Sequence, residues 1–223
     1  MIVATNIFLH NQTFFSVQRI IGGGYGKICS NEVYSARHVK CLFDSLRLEA
    51  GILYQLRNVE SVIQLEGLYE GPRHSVLMTD FLGGGDLVER VSRPDFILNE
   101  AKCKKYVRQI CSGLEYIHRN NIIHLDIKPF SVVFVDANDD SELKIADFNV
   151  AKRLEIDMEG TTLPSNIECM SGTVEFMSPE MIECTSATTK TGEFQILITF
   201  LDLALIYVSH RLSKLIIPDI LMF

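Results

Sequence analysis

The chain has 223 residues, 47% of them hydrophobic, enough to bury the core of one large domain or of two lobes that share a site. Its formal charge of −7 argues against nucleic acid as the main partner. Six cysteines without a CxxC pair suit reduced thiols in a cytoplasmic protein better than a disulfide framework or a zinc centre, and the opening MIVATNIFLH lacks the basic region and apolar run of a secretory leader.

Residues 16–41 alternate apolar and polar around a glycine cluster, which predicts strands joined by tight turns. Residues 44–57 place Leu46, Ile52, Leu53 and Leu56 on one apolar face, the pattern of a helix with Asp44 as its cap. Residues 76–82, VLMTDFL, read as a buried strand running into a flexible glycine crossing. Asn99 then caps a long helix in which Cys103, Val107, Ile110, Leu114 and Ile117 recur at helical spacing. SVVFVD and ELKIAD follow as two short strands around the acidic turn Asn138–Asp140. A strand-rich first part and a helix-rich second part, joined at residues 80–85, predict two lobes with a cleft between them.

The tail, FQILITFLDLALIYVSHRLSKLIIPDILMF, is strongly apolar. Its run Ile196–Val208 spans thirteen residues and contains Asp202, short of the roughly 20 a membrane helix needs. Three readings stand open: a substitute core helix, sequence from an altered exon boundary, and a membrane-associated end.

IGGGYG, SAR or HVK, LEAGIL, MTDFLGGGDL, HLDIKP, ADFN and SGTVEFMSPEM follow one another in an order that resembles the protein kinase catalytic domain, over roughly residues 15–191. The wording of GGGDL, HLDIKP and GTVEFMSPE is most similar to the calmodulin-dependent branch, near the myosin light-chain, titin-like and death-associated kinases. The resemblance implies an α+β, two-lobed protein-kinase-like fold with an incomplete C-terminal lobe. It divides the chain into an extension (1–13), a small lobe (14–82), the start of a large lobe (83–191) and a divergent tail (192–223).

It also implies a Ser/Thr protein kinase that binds ATP and Mg²⁺, with activity weak or lost, or else a pseudokinase scaffold. The partner would be a protein substrate or a scaffold partner, with neither nucleic acid nor membrane involved. Gly23, Gly24 and Gly26 belong to the loop that covers the phosphates, where glycine lets backbone N–H groups approach the oxygens. Aligned without a gap, Gly23 and Gly26 match the family's later glycines; a one-residue deletion instead keeps Gly22, Gly24 and Gly26. The phosphate-binding cation is Arg37 or Lys40, and its helix partner is Glu49. Arg37 is favoured because only nine residues separate Lys40 from Glu49, against twelve for Arg37. Arginine keeps the charge, but its planar fork is not interchangeable with an ammonium.

Thr79 is implied as gatekeeper, Asp80 to Leu82 as the adenine-binding hinge, and Asp86 as a ribose ligand or a helix cap. Asp126 is implied as the base that accepts the substrate hydroxyl's proton, and Lys128 as the charge stabiliser on the γ-phosphate. Leu125 stands where many members carry an arginine that pairs with a phosphorylated loop, so loop phosphorylation is not expected to switch this chain on. Asp147 is implied as the main metal ligand. Ser131 replaces a metal-binding asparagine with a shorter, poorer oxygen donor. Asn149 replaces a glycine and biases the loop through its Cβ. The family's next helix opens with an Asp and a Trp that anchor the catalytic loop; the matching positions here are Gly192 and Phe194.

Overall fold

A computed structural model describes residues 7–8, 14–15, 39–70, 75–159, 161–166 and 172–220. Two short strands, β1 (Ile7–Phe8) and β2 (Phe14–Phe15), pair antiparallel. The first long element is helix α1 (Val39–Gln55). It starts earlier than the expected 44–57 because Leu42 and Leu46 carry the four-residue apolar spacing back through the preceding turn. Asp44 therefore lies inside the helix and does not cap it.

A hairpin of β3 (Leu65–Glu70) and β4 (Ser75–Thr79) packs on α1, with a register shift between Leu65 and Gly67. Helix α2 (Leu87–Val91) opens on Asp86, whose carboxylate accepts the Glu89 N–H at 2.8 Å. Helix α3 (Glu100–Arg119) opens on Asn99, whose side chain accepts the Lys102 N–H at 2.9 Å. Such caps satisfy donors that the helix itself leaves open and stabilise by about 1 kcal/mol each. Of the expected α3 stripe, Ile110, Leu114 and Ile117 are buried and Cys103 packs against them at the edge. Strands β5 (Ile122–Ile123), β6 (Val132–Phe134), β7 (Leu143–Ile145) and β8 (Lys152–Arg153) come next. β6 pairs with β7 and β5 with β8, both antiparallel.

One core holds these pieces together. Ile52 and Leu53 of α1, with Leu56 just after it, meet Val62, Ile110, Ile117, Val132, Ile145 and Phe148, all at most 1% exposed. Each such side chain stabilises by about 1.5–3 kcal/mol on burial. A second cluster, including Leu125, Leu154, Met177 and Met181, lies under strand β9 (Ser165–Asn166), helix α4 (Pro179–Ile182) and strand β10 (Ser186–Ala187), which pairs with β9.

The glycine run is not a loose crossing. Gly83 N–H donates to Val135 O at 2.9 Å, Gly84 N–H to Phe134 O at 3.1 Å, and Phe134 N–H returns to Gly85 O at 2.9 Å. A Cβ on Gly84 would sit 2.1 Å from Asp136 O, so close backbone approach, not flexibility, requires glycine there.

The tail is one helix, α5 (Thr189–Ile220). Ile196 and Leu203 join the main core, while Leu197, Leu201, Leu205 and Val208 are 49–68% exposed. Thr189–Val208 is long and apolar enough to cross a membrane by length and composition, a longer stretch than the thirteen residues read from the sequence. A third of it is buried against the domain. Cys103 and Cys111 are free thiols, but Cys184 is disulfide-bonded, which departs from the expectation of reduced thiols throughout.

Candidate active site

The loop from His124 to Ser131 runs between β5 and β6 and is buried throughout except for Phe130. Asp126 is 5% exposed and Lys128 3%. One carboxylate oxygen of Asp126 accepts the Lys128 ammonium, and the other accepts the Thr173 N–H at 2.8 Å. Lys128 Nζ also donates to Thr173 Oγ1 at 2.5 Å. Asp126, Lys128 and Thr173 therefore form one network, in which the base expected from the sequence is ionically paired and held on both oxygens. Each oxygen of a carboxylate so placed keeps one lone-pair direction for a further donor.

Gly172 permits this approach. Its φ is +106°, and a Cβ there would lie 2.7 Å from Leu125 O. Leu125 itself has φ +66°, a left-handed conformation that disfavours a leucine by about 1–2 kcal/mol. His124 is fully buried. Its Nε2–H donates to Ala146 O at 2.9 Å, and its Nδ1 accepts the Asp126 N–H at 3.3 Å. Burial pushes its pKa down to about 4. With both ring nitrogens engaged and its ring edge-on to Phe148 at 4.7 Å, it packs and positions the loop as a neutral side chain.

Ser131, expected near a metal, uses its hydroxyl locally. It donates to Lys128 O at 2.9 Å and accepts the Lys128 N–H at 3.0 Å, closing the 3-10 turn Pro129–Ser131. Asp147 is raised above the ordinary carboxylate range by burial and by the Asp126 charge. Its φ is +66°, so the unusual backbone falls on Asp147; Asn149, where strain was expected, is not in the left-handed region. Burial of Glu49 on α1, together with the Asp147 charge, pushes its pKa up to about 7, against a smaller lowering by the nearby Phe148 N–H. Among the described residues no lysine or arginine pairs with Glu49.

Gly23, Gly24, Gly26 and Arg37 lie outside the described residues. Lys40 stands in the first turn of α1. Nine residues of helix set its Cα about 13 Å from that of Glu49 and half a turn round the axis, too far for a direct ion pair.

At the hinge, Asp80 is held by its side chain. Its carboxylate accepts Lys144 Nζ at 2.5 Å and Gln64 N–H at 2.6 Å, and its own N–H donates to Gln64 O at 2.9 Å. Thr79 Oγ1 donates to Asp80 O at 3.4 Å. The main-chain N–H and C=O of Leu82 make no hydrogen bond among the described residues. Asp86 caps α2, as the alternative reading of that residue anticipated.

Residues beyond the expected set also shape the site. Gln195 of α5 is fully buried; its Oε1 accepts the Ile127 N–H at 3.2 Å and its Nε2 donates to Leu125 O at 2.9 Å. Thr191 Oγ1 donates to Glu180 at 2.7 Å, supplying that carboxylate with a partner the sequence did not disclose. The available signal was a polar row, Thr191, Gln195 and Thr199, recurring every four residues through an otherwise apolar segment.

The donor set suits a hard cation. Asp147 and Asp126 crowd negative charge into a half-buried space, which raises Asp147, and Glu49 lies beside them. Among the described residues no cluster of three or more His, Cys, Asp or Glu side chains forms a closed metal cage. Mg²⁺ does not need one, since it is commonly held by one or two carboxylates with phosphate oxygens and water.

Comparison with known proteins gives a consistent answer. The family described as protein kinase domain matches residues 16–208, past Lys190 and into α5. Myosin light chain kinase, smooth muscle, of Gallus gallus is 33% identical over 169 residues, 76% of this chain and 8% of that protein. Myosin light chain kinase 2, skeletal/cardiac muscle, of Oryctolagus cuniculus is 32% identical over 162 residues, 72% of this chain and 25% of that protein. The human form is 33% identical over 144 residues, 65% of this chain and 23% of that protein. The chain thus spans a quarter or less of the length of these relatives.

Proposed function

The chain belongs to the protein kinase family, and on that premise we propose that it binds ATP with Mg²⁺ and passes the γ-phosphate to Ser or Thr hydroxyls of a protein substrate, with turnover weak or lost. The observation that carries this reading is the Asp126–Lys128–Thr173 network. Asp126 accepts the proton of the attacking hydroxyl. Lys128, already beside it, offers positive charge where the γ-phosphate gains negative charge. Leu82 offers the adenine its main-chain N–H and C=O, and Asp147 is the carboxylate suited to Mg²⁺. Bound Mg²⁺ would neutralise phosphate charge during transfer.

Weak turnover follows from Ser131. The Ser131 hydroxyl is committed to the Lys128 peptide group, so the second metal position lacks the side-chain carbonyl that asparagine would supply. The same observation favours the second reading, a pseudokinase that binds nucleotide or a protein partner without transfer. The inward polar row of α5 favours a core role for the tail over a membrane span. ATP use and the free thiols Cys103 and Cys111 favour a cytoplasmic setting, whereas the Cys184 disulfide does not.

The test is phosphotransfer from labelled ATP to a mixed Ser/Thr peptide library. Wild type should give a low rate, Asp126→Asn none, and the triple variant Ser131→Asn, Asn149→Gly, Arg37→Lys a higher one. Absence of transfer in both wild type and triple variant, with a Mg²⁺-dependent thermal shift on adding ATP, would replace the first reading by the second. At 100 times Kd the stabilisation is about 2.7 kcal/mol, which such a melt detects.

A further inference from the structure

Asp126 lies between two peptide groups, and one side chain grips both. The Leu125 carbonyl on one side accepts Gln195 Nε2–H at 2.9 Å, and the Ile127 N–H on the other donates to Gln195 Oε1 at 3.2 Å. We propose that Gln195 is the positioning residue for the base: it fixes the backbone on both sides of Asp126 and so sets the direction of its carboxylate.

The chemistry of the two contacts selects an amide. A carbonyl can only accept and a backbone N–H can only donate, so the gripping group must do both. An ionised carboxylate would leave Leu125 O facing a negative oxygen. The same contacts fix which end of the Gln195 amide is nitrogen. The grip is also needed, because Leu125 sits at φ +66°, where a leucine is not stable by itself, and its carbonyl is pressed against Gly172. Gln195 is in turn locked in place. It is fully buried, its Nε2 lies 3.6 Å from Met181 Sδ, and Thr199 Oγ1 donates to its main-chain carbonyl at 2.9 Å.

The resemblance puts an acidic anchor at the position of Gly192. A Cβ there would meet His118 Nε2 at 2.8 Å, so a side chain at that position would have to displace the His118 ring. The anchor stands three residues later, almost one helical turn along α5, and is uncharged. Its geometry is independent of the phosphotransfer reading, but its catalytic consequence rests on that reading.

Two variants test it in the full chain. Gln195→Leu keeps the size and removes both hydrogen bonds. It should speed amide exchange at Ile127 about tenfold while leaving Ile145, which donates to Ser61 O at 2.8 Å, unchanged. It should also lower kcat about tenfold with little change in KM for ATP, as expected from misplacing the base. Gln195→Glu should imitate the amide only when protonated, since the acid then has one O–H donor and one carbonyl acceptor. Its rate relative to wild type, and its Ile127 protection relative to Ile145, should both be highest at low pH and fall as pH rises. If wild type transfers no phosphate, the phosphotransfer reading gives way to the pseudokinase one, while exchange at Ile127 still decides the role of Gln195. Should Gln195→Leu not fold, the pH series of Gln195→Glu decides. Unchanged Ile127 protection in Gln195→Leu, or a Gln195→Glu ratio that is flat with pH, overturns the assignment.

Discussion

Replacing Glu49 with glutamine removes a buried carboxyl that the described residues leave without a cation. Its pKa is raised from 4.5 to about 7, first by burial and then by the Asp147 charge. Between those values the folded protein holds a proton that the unfolded chain releases. Stability is therefore fullest below about pH 4.5 and falls as pH rises to about 7, where the loss is complete. At about 1.4 kcal/mol per tenfold change in acidity, this interval is worth at most about 3 kcal/mol. Glu49→Gln should accordingly raise stability at pH 8 by about 2–3 kcal/mol, a rise in Tm on the order of 6 °C for a chain of this size. At pH 4.5 it should change little. Thermal melts of both proteins at a series of pH values read this directly. The reasoning is refuted if Glu49→Gln is less stable than wild type at pH 8, because the carboxylate would then be ion-paired, with Arg37 the first candidate. The combination Arg37→Gln with Glu49→Gln would identify that pair.

Two further perturbations follow from the site and the hinge. Lys128→Met strips the counterion from a nearly inaccessible Asp126 and should cost about 3 kcal/mol by urea denaturation, most of it recovered when Asp126→Asn is added; a single-variant cost below about 1 kcal/mol would show that Asp126 does not depend on the lysine. Gly84→Ala pushes a methyl group against the Asp136 backbone and should cost more than about 2 kcal/mol. Gly83→Ala meets only the movable ring of Phe81 and should cost under about 1 kcal/mol, so equal losses would contradict the strand-like pairing of the hinge.

What the sequence disclosed and what it hid differ by the range of the interaction concerned. Helix α3 was legible because Asn99 and the stripe through Ile117 are local signals, one a cap and the other a period. β6 and β7 were legible for the same reason, as two short apolar runs around an acidic turn. Asp126 and Lys128 were picked out by motif, and their contacts with each other and with Thr173 came only from the structure. The glycine run was misread because flexibility and close approach both call for an absent Cβ, and only the neighbour, Asp136, distinguishes them. Gln195 was hidden since its partners lie about 70 residues earlier, and a single polar residue in an apolar run carries no local sign of what it binds. Ser131 was read against the asparagine it replaces, which concealed its own hydrogen bonds to Lys128.

Arg90 is 1% exposed and faces backbone rather than a close carboxylate. Its guanidinium donates to the carbonyls of Gly84 (3.1 Å), Asp136 (2.5 Å), Ala137 (3.2 Å) and Asn138 (2.7 Å), above the ring of Phe134. Carbonyls are common to all residue types, so the identity of most side chains in this turn is decoupled from the clamp. Under random mutagenesis residues 137–140 should accept wide substitution, proline and backbone-distorting changes aside. Arg90 should accept almost none, lysine included, because an ammonium has three donors and no planar fork to reach four separated oxygens. Drift across this turn can therefore proceed without disturbing the hinge, provided a single codon stays fixed.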